Sequence, residues 1–167
     1  MRKNTYFILV MICLSLLLGS CDNNKPPAKM PDDFDFTITF EHAFTVDTYK
    51  DILTETDLYI GDVVYEVRFD FPDEQMENIY SEFVQRDIYK IEDGTDVGKI
   101  EVIPPVGVFL EYTMNGETIS VLCSDNYISS TSSKVKKNFV AFADFIITYV
   151  IDSEQYQDAP HIFYAWE

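Results

Sequence analysis

The segment that most restricts the fold is a hairpin signature in the second half of the chain. Two β-rich runs, residues 106–113 and 118–123, flank Met114-Asn115-Gly116-Glu117. Asn-Gly favours the positive φ angles of a type I′ turn, whose twist matches that of antiparallel strands. A chain carrying it is committed to a local antiparallel pair. Pro104 and Pro105 lack backbone donors, so any strand leading into the hairpin should stop there or lie at an edge.

Other strands follow from side-chain alternation. Phe34, Phe36, Ile38 and Phe40 alternate with Asp35, Thr37, Thr39 and Glu41, which marks a half-buried strand. A second strand over 44–56 is expected to turn back at Asp47-Thr48-Tyr49-Lys50-Asp51. Val63, Tyr65, Val67, Phe69 and Phe71 supply another alternating run. Pro72 suits a first helical position, Asp73 and Glu74 suit the positive end of a helix dipole, and Met76, Ile79, Tyr80 and Phe83 recur at helical spacing. They predict a helix over 73–86. Residues 92–99, with two glycines and three acids, read as an exposed loop. Ser132 or Ser133 should cap a long apolar helix with Val135, Phe139, Phe142, Phe145, Ile146 and Tyr149 facing inward, ending near Asp152 or Ser153. A short turn around 154–156 precedes Pro160, and the aromatic tail 162–166 should pack as a last strand or cover an open core edge.

The expected class is therefore α+β: one domain over 34–167, with an antiparallel sheet covered on one face by two helices in the order β-β-β-α-β-β-α. No internal repeat is visible.

The N-terminus carries a different message. Arg2 and Lys3 precede an uncharged apolar run over 6–18, and Leu18-Gly19-Ser20-Cys21 places small residues before a cysteine. The run is shorter than the roughly 20 residues needed to span a bilayer. The segment resembles the lipobox signal of bacterial lipoproteins, which implies removal of residues 1–20 and lipidation of Cys21. Palmitate and related acyl chains would then anchor the protein on the outer side of the cytoplasmic membrane or in the outer membrane. Residues 21–33, polar and rich in proline, would serve as a flexible tether. The order of elements beyond residue 34 is loosely similar to small uncharacterised lipoprotein domains of gut bacteria, a likeness that brings no activity with it.

Charge and cysteine content narrow the chemistry. Without Arg2 and Lys3 the 12 basic residues become 10 against 29 acidic ones, a net charge of −19. Nucleic acid and anionic headgroups are repelled, while cationic partners are favoured. Cys13 lies in the leader and Cys21 is assigned to lipid, so Cys123 has no partner for an intrachain disulfide. Its expected role is a buried small hydrophobe.

No nucleophile elbow, Ser-x-x-Lys, His-Glu-x-x-His or phosphate-binding loop occurs, and His42 and His161 stand outside any recognisable frame. One thiol and two separated histidines do not build a familiar zinc site. Asp93, Asp96 and Glu101 bracket Gly94 and Gly98 without EF-hand spacing, and Asp32, Asp33 and Asp35 form a second acidic group; calcium ligation by either set competes with a plain solvated surface. Lys134, Lys136 and Lys137 cluster at the start of the last helix, where cations oppose the dipole, and read either as an anion site or as solvated lysines. No catalytic residue, metal or cofactor is assigned. The expected function is a non-enzymatic, lipid-anchored binding module for a cationic protein or envelope ligand. Two alternatives are an inhibitor or immunity-type protein for a basic secreted enzyme, and an envelope hydrolase built on acids such as Asp93 and Glu101.

Overall fold

The computed structural model describes residues 26–40, 44–56, 62–99 and 107–160. Strand β1 (Asp35–Phe40) shows the expected alternation, with Phe36, Ile38 and Phe40 buried and the residues between them half-exposed. The stretch read as one turning strand is a tight hairpin of β2 (Phe44–Asp47) and β3 (Ile52–Thr56). Asp51 closes it at φ 55°. Thr48 ties the reversal to β1: its hydroxyl donates to Asp35 Oδ1 at 3.0 Å and accepts from the Phe36 N–H at 2.8 Å. Strand β4 (Val63–Arg68) follows.

Helix α1 (Asp73–Gln85) starts one residue later than Pro72, which serves as the N-cap with extended ψ. Ile79, Tyr80 and Phe83 are its buried residues. A 3₁₀ turn (Ile88–Lys90) then buries Ile88 and leads to β5 (Thr95–Asp96). Strands β6 (Val108–Met114) and β7 (Glu117–Cys123) form the expected hairpin. Asn115 (φ 55°) and Gly116 (φ 77°) occupy the positive-φ positions that type I′ demands. The Asp33 carboxylate receives both of their N–H groups, at 3.0 and 2.6 Å, so the turn is held from outside by the segment before β1.

Among the described residues seven strands form one sheet in the order β4-β3-β2-β1-β6-β7-β5. All pairings are antiparallel except β5 with β7. The stretch 92–99 is thus not simply an exposed loop: Val97 is buried, and its N–H reaches the Leu122 carbonyl at 2.8 Å. Acids and glycines read as loop because they avoid strands, yet here the acids supply acceptors to the neighbouring strand. Asp93 Oδ1 accepts from Ser120 N–H at 2.8 Å, and Asp96 Oδ1 from Ser124 N–H at 3.0 Å.

Helices α1 and α2 (Lys134–Ile151) pack on the face that carries Leu110 and Tyr112. Phe83 joins the layers, with ring centroids 4.8 Å from Tyr112 and 5.9 Å from Phe142. Ser133 caps α2, accepting the Lys136 N–H at 3.1 Å. The inward face differs from the expected one in part. Phe139, Phe142 and Ile146 are buried, but Phe145 and Tyr149 are half-buried and Val135 is 49% exposed. Lys136 takes the inward place in the first turn because its ammonium meets Asp125 Oδ2 at 2.7 Å. That rotation brings Val140, Ala143 and Val150 into the core instead. The expected turn after α2 is a single helical turn, α3 (Glu154–Gln157). Among the described residues no helix is long and apolar enough to cross a membrane.

The opposite sheet face is polar. The hydroxyls of Thr39 and Thr45 lie 2.9 Å apart, as do those of Thr113 and Thr118, and Tyr49 hydroxyl stands 2.8 Å from Thr113 Oγ1. The segment read as a flexible tether is in part docked. Tyr80 hydroxyl donates to the Pro27 carbonyl at 2.8 Å, and Met30 packs against the core. Polyproline backbone makes no internal hydrogen bonds, which leaves such carbonyls free to accept from outside.

Candidate functional site

An open groove of about 940 Å³ runs between α1 and α2. Its walls come from two stripes at helical spacing: Asn78, Glu82 and Arg86 on and just beyond α1, and Ala141, Asp144, Phe145, Thr148 and Asp152 on and just beyond α2. Residues four apart lie on one helix face, so each stripe is a direct product of local sequence. Phe69, Asp70, Ser153, Glu154 and Gln155 complete the lining.

Five carboxylates line the groove, from Asp70, Glu82, Asp144, Asp152 and Glu154, against one guanidinium, that of Arg86. Arg86 is already engaged, with Nε 2.7 Å from Glu82 Oε2, and its carbonyl accepts from Asn138 Nδ2 at 2.8 Å. This bond ties the end of α1 to α2 beside the groove. Partial loss of water pushes the Asp144 carboxyl above its ordinary value, with the Arg86 charge pulling the other way. Phe145 and Tyr149 add half-buried aromatic surface. Acidic walls over an aromatic floor suit a cation carried on an apolar stem, such as a lysine or arginine side chain.

The residues singled out from sequence fall elsewhere. Cys21, His42, Glu101 and His161 lie outside the described residues, as do Pro104, Pro105 and the tail 162–166. Asp93 and Asp96 stand on the far sheet edge as backbone acceptors, and no group of three His, Cys, Asp or Glu side chains among the described residues is placed to hold a metal ion. Asp33 and Asp35 are engaged by the hairpin turn and by Thr48. Hydrogen bonds from Gly116 and Asn115 hold the Asp33 carboxyl below its usual value.

The three lysines at the start of α2 do not converge. Lys136 is buried and paired with Asp125, while Lys137 Nζ donates to the Ser130 carbonyl at 3.2 Å. The buried pair resolves the conflict with the helix dipole, because Asp125 supplies the opposing charge. Cys123 is fully buried and its thiol donates to the Asp125 carbonyl at 3.0 Å. Burial drives its pKa up to about 11, so it is held as the thiol.

The groove was missed in the sequence because its two stripes lie more than fifty residues apart. The four-residue spacing of Asn78, Glu82 and Arg86 is visible in one dimension; the helix it faces is not. No family model matches this chain, and no curated protein matches it.

Proposed function

We propose that this chain is a lipid-anchored, extracytoplasmic binding protein whose groove between α1 and α2 holds a basic segment of a partner protein. The observation that carries the reading is the imbalance of the groove: of its five carboxylates, Glu82 is paired with Arg86 and Asp70 lies 3.5 Å from Arg68, which leaves Asp144, Asp152 and Glu154 outside any ion pair among the described residues. The acidic balance of the whole chain supports it, since a net charge of −17 steers cationic partners toward any face. The leader ending at Cys21 supports the anchor. An inhibitor or immunity role toward a basic secreted enzyme is one form of the same reading. Of the two acids named for the hydrolase alternative, Asp93 accepts from the Ser120 amide, which disfavours that reading, and Glu101 lies outside the described residues.

Two measurements test the proposal. Labelled palmitate should enter the parent protein and not a Cys21→Ala variant; equal labelling refutes the anchor. A fluorescent peptide of alternating lysine and tyrosine should bind with an affinity that falls as salt rises, and Asp144→Asn with Asp152→Asn should weaken it roughly tenfold, on the scale of two charge contacts of about 0.7 kcal/mol each. Binding unchanged by these substitutions removes the groove from consideration.

A further inference from the structure

The two edges of the sheet are treated differently. At the β7 edge, β5 adds a parallel strand, Gly94 N–H reaches the Ser120 carbonyl at 2.8 Å, and the Asp93 and Asp96 carboxylates cap the Ser120 and Ser124 amides. At the other edge lies β4, which has no strand partner beyond β3 among the described residues. Its sequence, Val-Val-Tyr-Glu-Val-Arg, contains no proline or lysine, the usual means of keeping an edge from pairing.

The ladder shows which backbone groups are free. Phe69 N–H donates to the Asp51 carbonyl at 2.8 Å, and the register pairs Val67 with Leu53 and Tyr65 with Glu55. Antiparallel bonding alternates along a strand, so Tyr65, Val67 and Phe69 bond inward to β3. The N–H and C=O groups of Glu66 and Arg68 therefore point outward. Val64 is an extra residue in β4, because the register shifts between Glu55–Tyr65 and Thr56–Val63. That bulge spoils the N-terminal part of the edge for pairing and leaves the stretch from Tyr65 onward regular.

We propose that β4 pairs with β4 of a second copy of this chain, antiparallel about a two-fold axis at Val67. In this register Glu66 lies opposite Arg68 of the other copy, and Arg68 opposite its Glu66. Both are the outward-bonding residues, so each pair exchanges both of its N–H to C=O bonds. Both are also on the polar sheet face, which makes two symmetric cross-strand ion pairs. Arg68 is free to make one: its side chain is 78% exposed, and its intrachain contact with Asp70 is a loose 3.5 Å. Charge complementarity of a strand with its own inverse is what selects a second copy over a foreign strand.

The axis gives a sharp test. The two Val67 residues would form a non-hydrogen-bonded pair with Cα atoms about 4.5 Å apart, inside the range a disulfide accepts. Full-length Val67→Cys, mildly oxidised in native envelopes, should yield a disulfide-linked dimer. Adding Glu66→Arg, which sets arginine against arginine, should lower the cross-linked fraction roughly tenfold, and adding Glu66→Arg with Arg68→Glu should restore it. A Val67→Cys protein with an unchanged thermal transition and no cross-link overturns the proposal, as does a cross-link indifferent to Glu66→Arg. Should Val67→Cys fail to fold, sedimentation of the detergent-solubilised parent beside Glu66→Arg decides it: dimer and monomer support the pairing, and two monomers or two dimers refute it. The parent protein oxidised alongside must stay uncross-linked, which excludes disulfides through Cys13 or Cys21, so failure of the anchor and failure of the pairing are read separately.

Discussion

Asp125→Ala would strand the Lys136 ammonium in a site where the lysine side chain is 8% exposed and Asp125 Oδ2, at 2.7 Å, accepts its hydrogen bond. Removing one partner of a buried ion pair costs about 3–5 kcal/mol, because the remaining charge has left water without compensation. Asp125 is itself 20% exposed, so part of the pair's field is already screened, and the expected loss sits near the lower end, about 3 kcal/mol. For a domain of this size that lowers the melting temperature by about 10 °C. Lys136→Met should cost less, about 1–2 kcal/mol, since the carboxylate left behind can reach solvent. The double variant Asp125→Ala with Lys136→Met should be more stable than Asp125→Ala alone.

The pair also predicts a pH dependence. The Lys136 hydrogen bond, followed by that from Tyr127 N–H, holds the Asp125 carboxyl below its ordinary value. A depressed folded value means the contribution is complete above the unfolded carboxylate value, about 3.9, and fades as pH falls through the folded one. Urea unfolding at pH 7 and again below pH 4 measures both effects. A cost for Asp125→Ala under about 1 kcal/mol at pH 7, or strict additivity in the double variant, would refute the account of Lys136 as a charge that needs its partner.

Other outcomes follow from single contacts. Gly107→Ala places a Cβ 1.9 Å from the Cys123 carbonyl oxygen, a backbone atom that cannot rotate away, and should cost at least about 2 kcal/mol in chemical denaturation. Phe83→Ala removes the ring that joins α1, α2 and the sheet and should cost about 3–5 kcal/mol by the same assay. Asp33→Ala should speed amide hydrogen exchange at Asn115 and Gly116; because the Asp33 carboxyl is held low, protection in the parent should persist as pH drops through the usual carboxylate range and fail only below it. Cys123 should resist alkylation at pH 8 in the folded protein and react in urea, as judged by intact mass.

The parts of the fold that were legible in the sequence are those whose cause is local. Alternation at Phe34, Phe36, Ile38 and Phe40 and the Asn115-Gly116 turn each depend on neighbours along the chain, and each stands where the pattern put it. The 92–99 stretch misled because the use of Asp93 and Asp96 lies on β7, more than twenty residues away, and propensity has no access to that acceptor role. Lys136 misled for a related reason. A lysine is placed outside by hydrophobicity, and only the position of Asp125 explains why it turns inward and displaces Val135. The groove needed the same missing knowledge, namely which faces of α1 and α2 oppose each other.

The hydrogen bond from Tyr80 to Pro27 has a consequence for reach. On a chain fastened at Cys21, the slack is counted only to the docked residues around Pro27, and the five Cα steps from Cys21 to Pro26 extend to no more than about 17 Å. Freed down to Asp33, the same leash would be more than twice as long. With that anchor the globule would ride close above the headgroups with little swing, and whatever it holds would have to come to it across the surface; Tyr80→Phe would release the Pro27 contact while Met30 keeps its hold on the core.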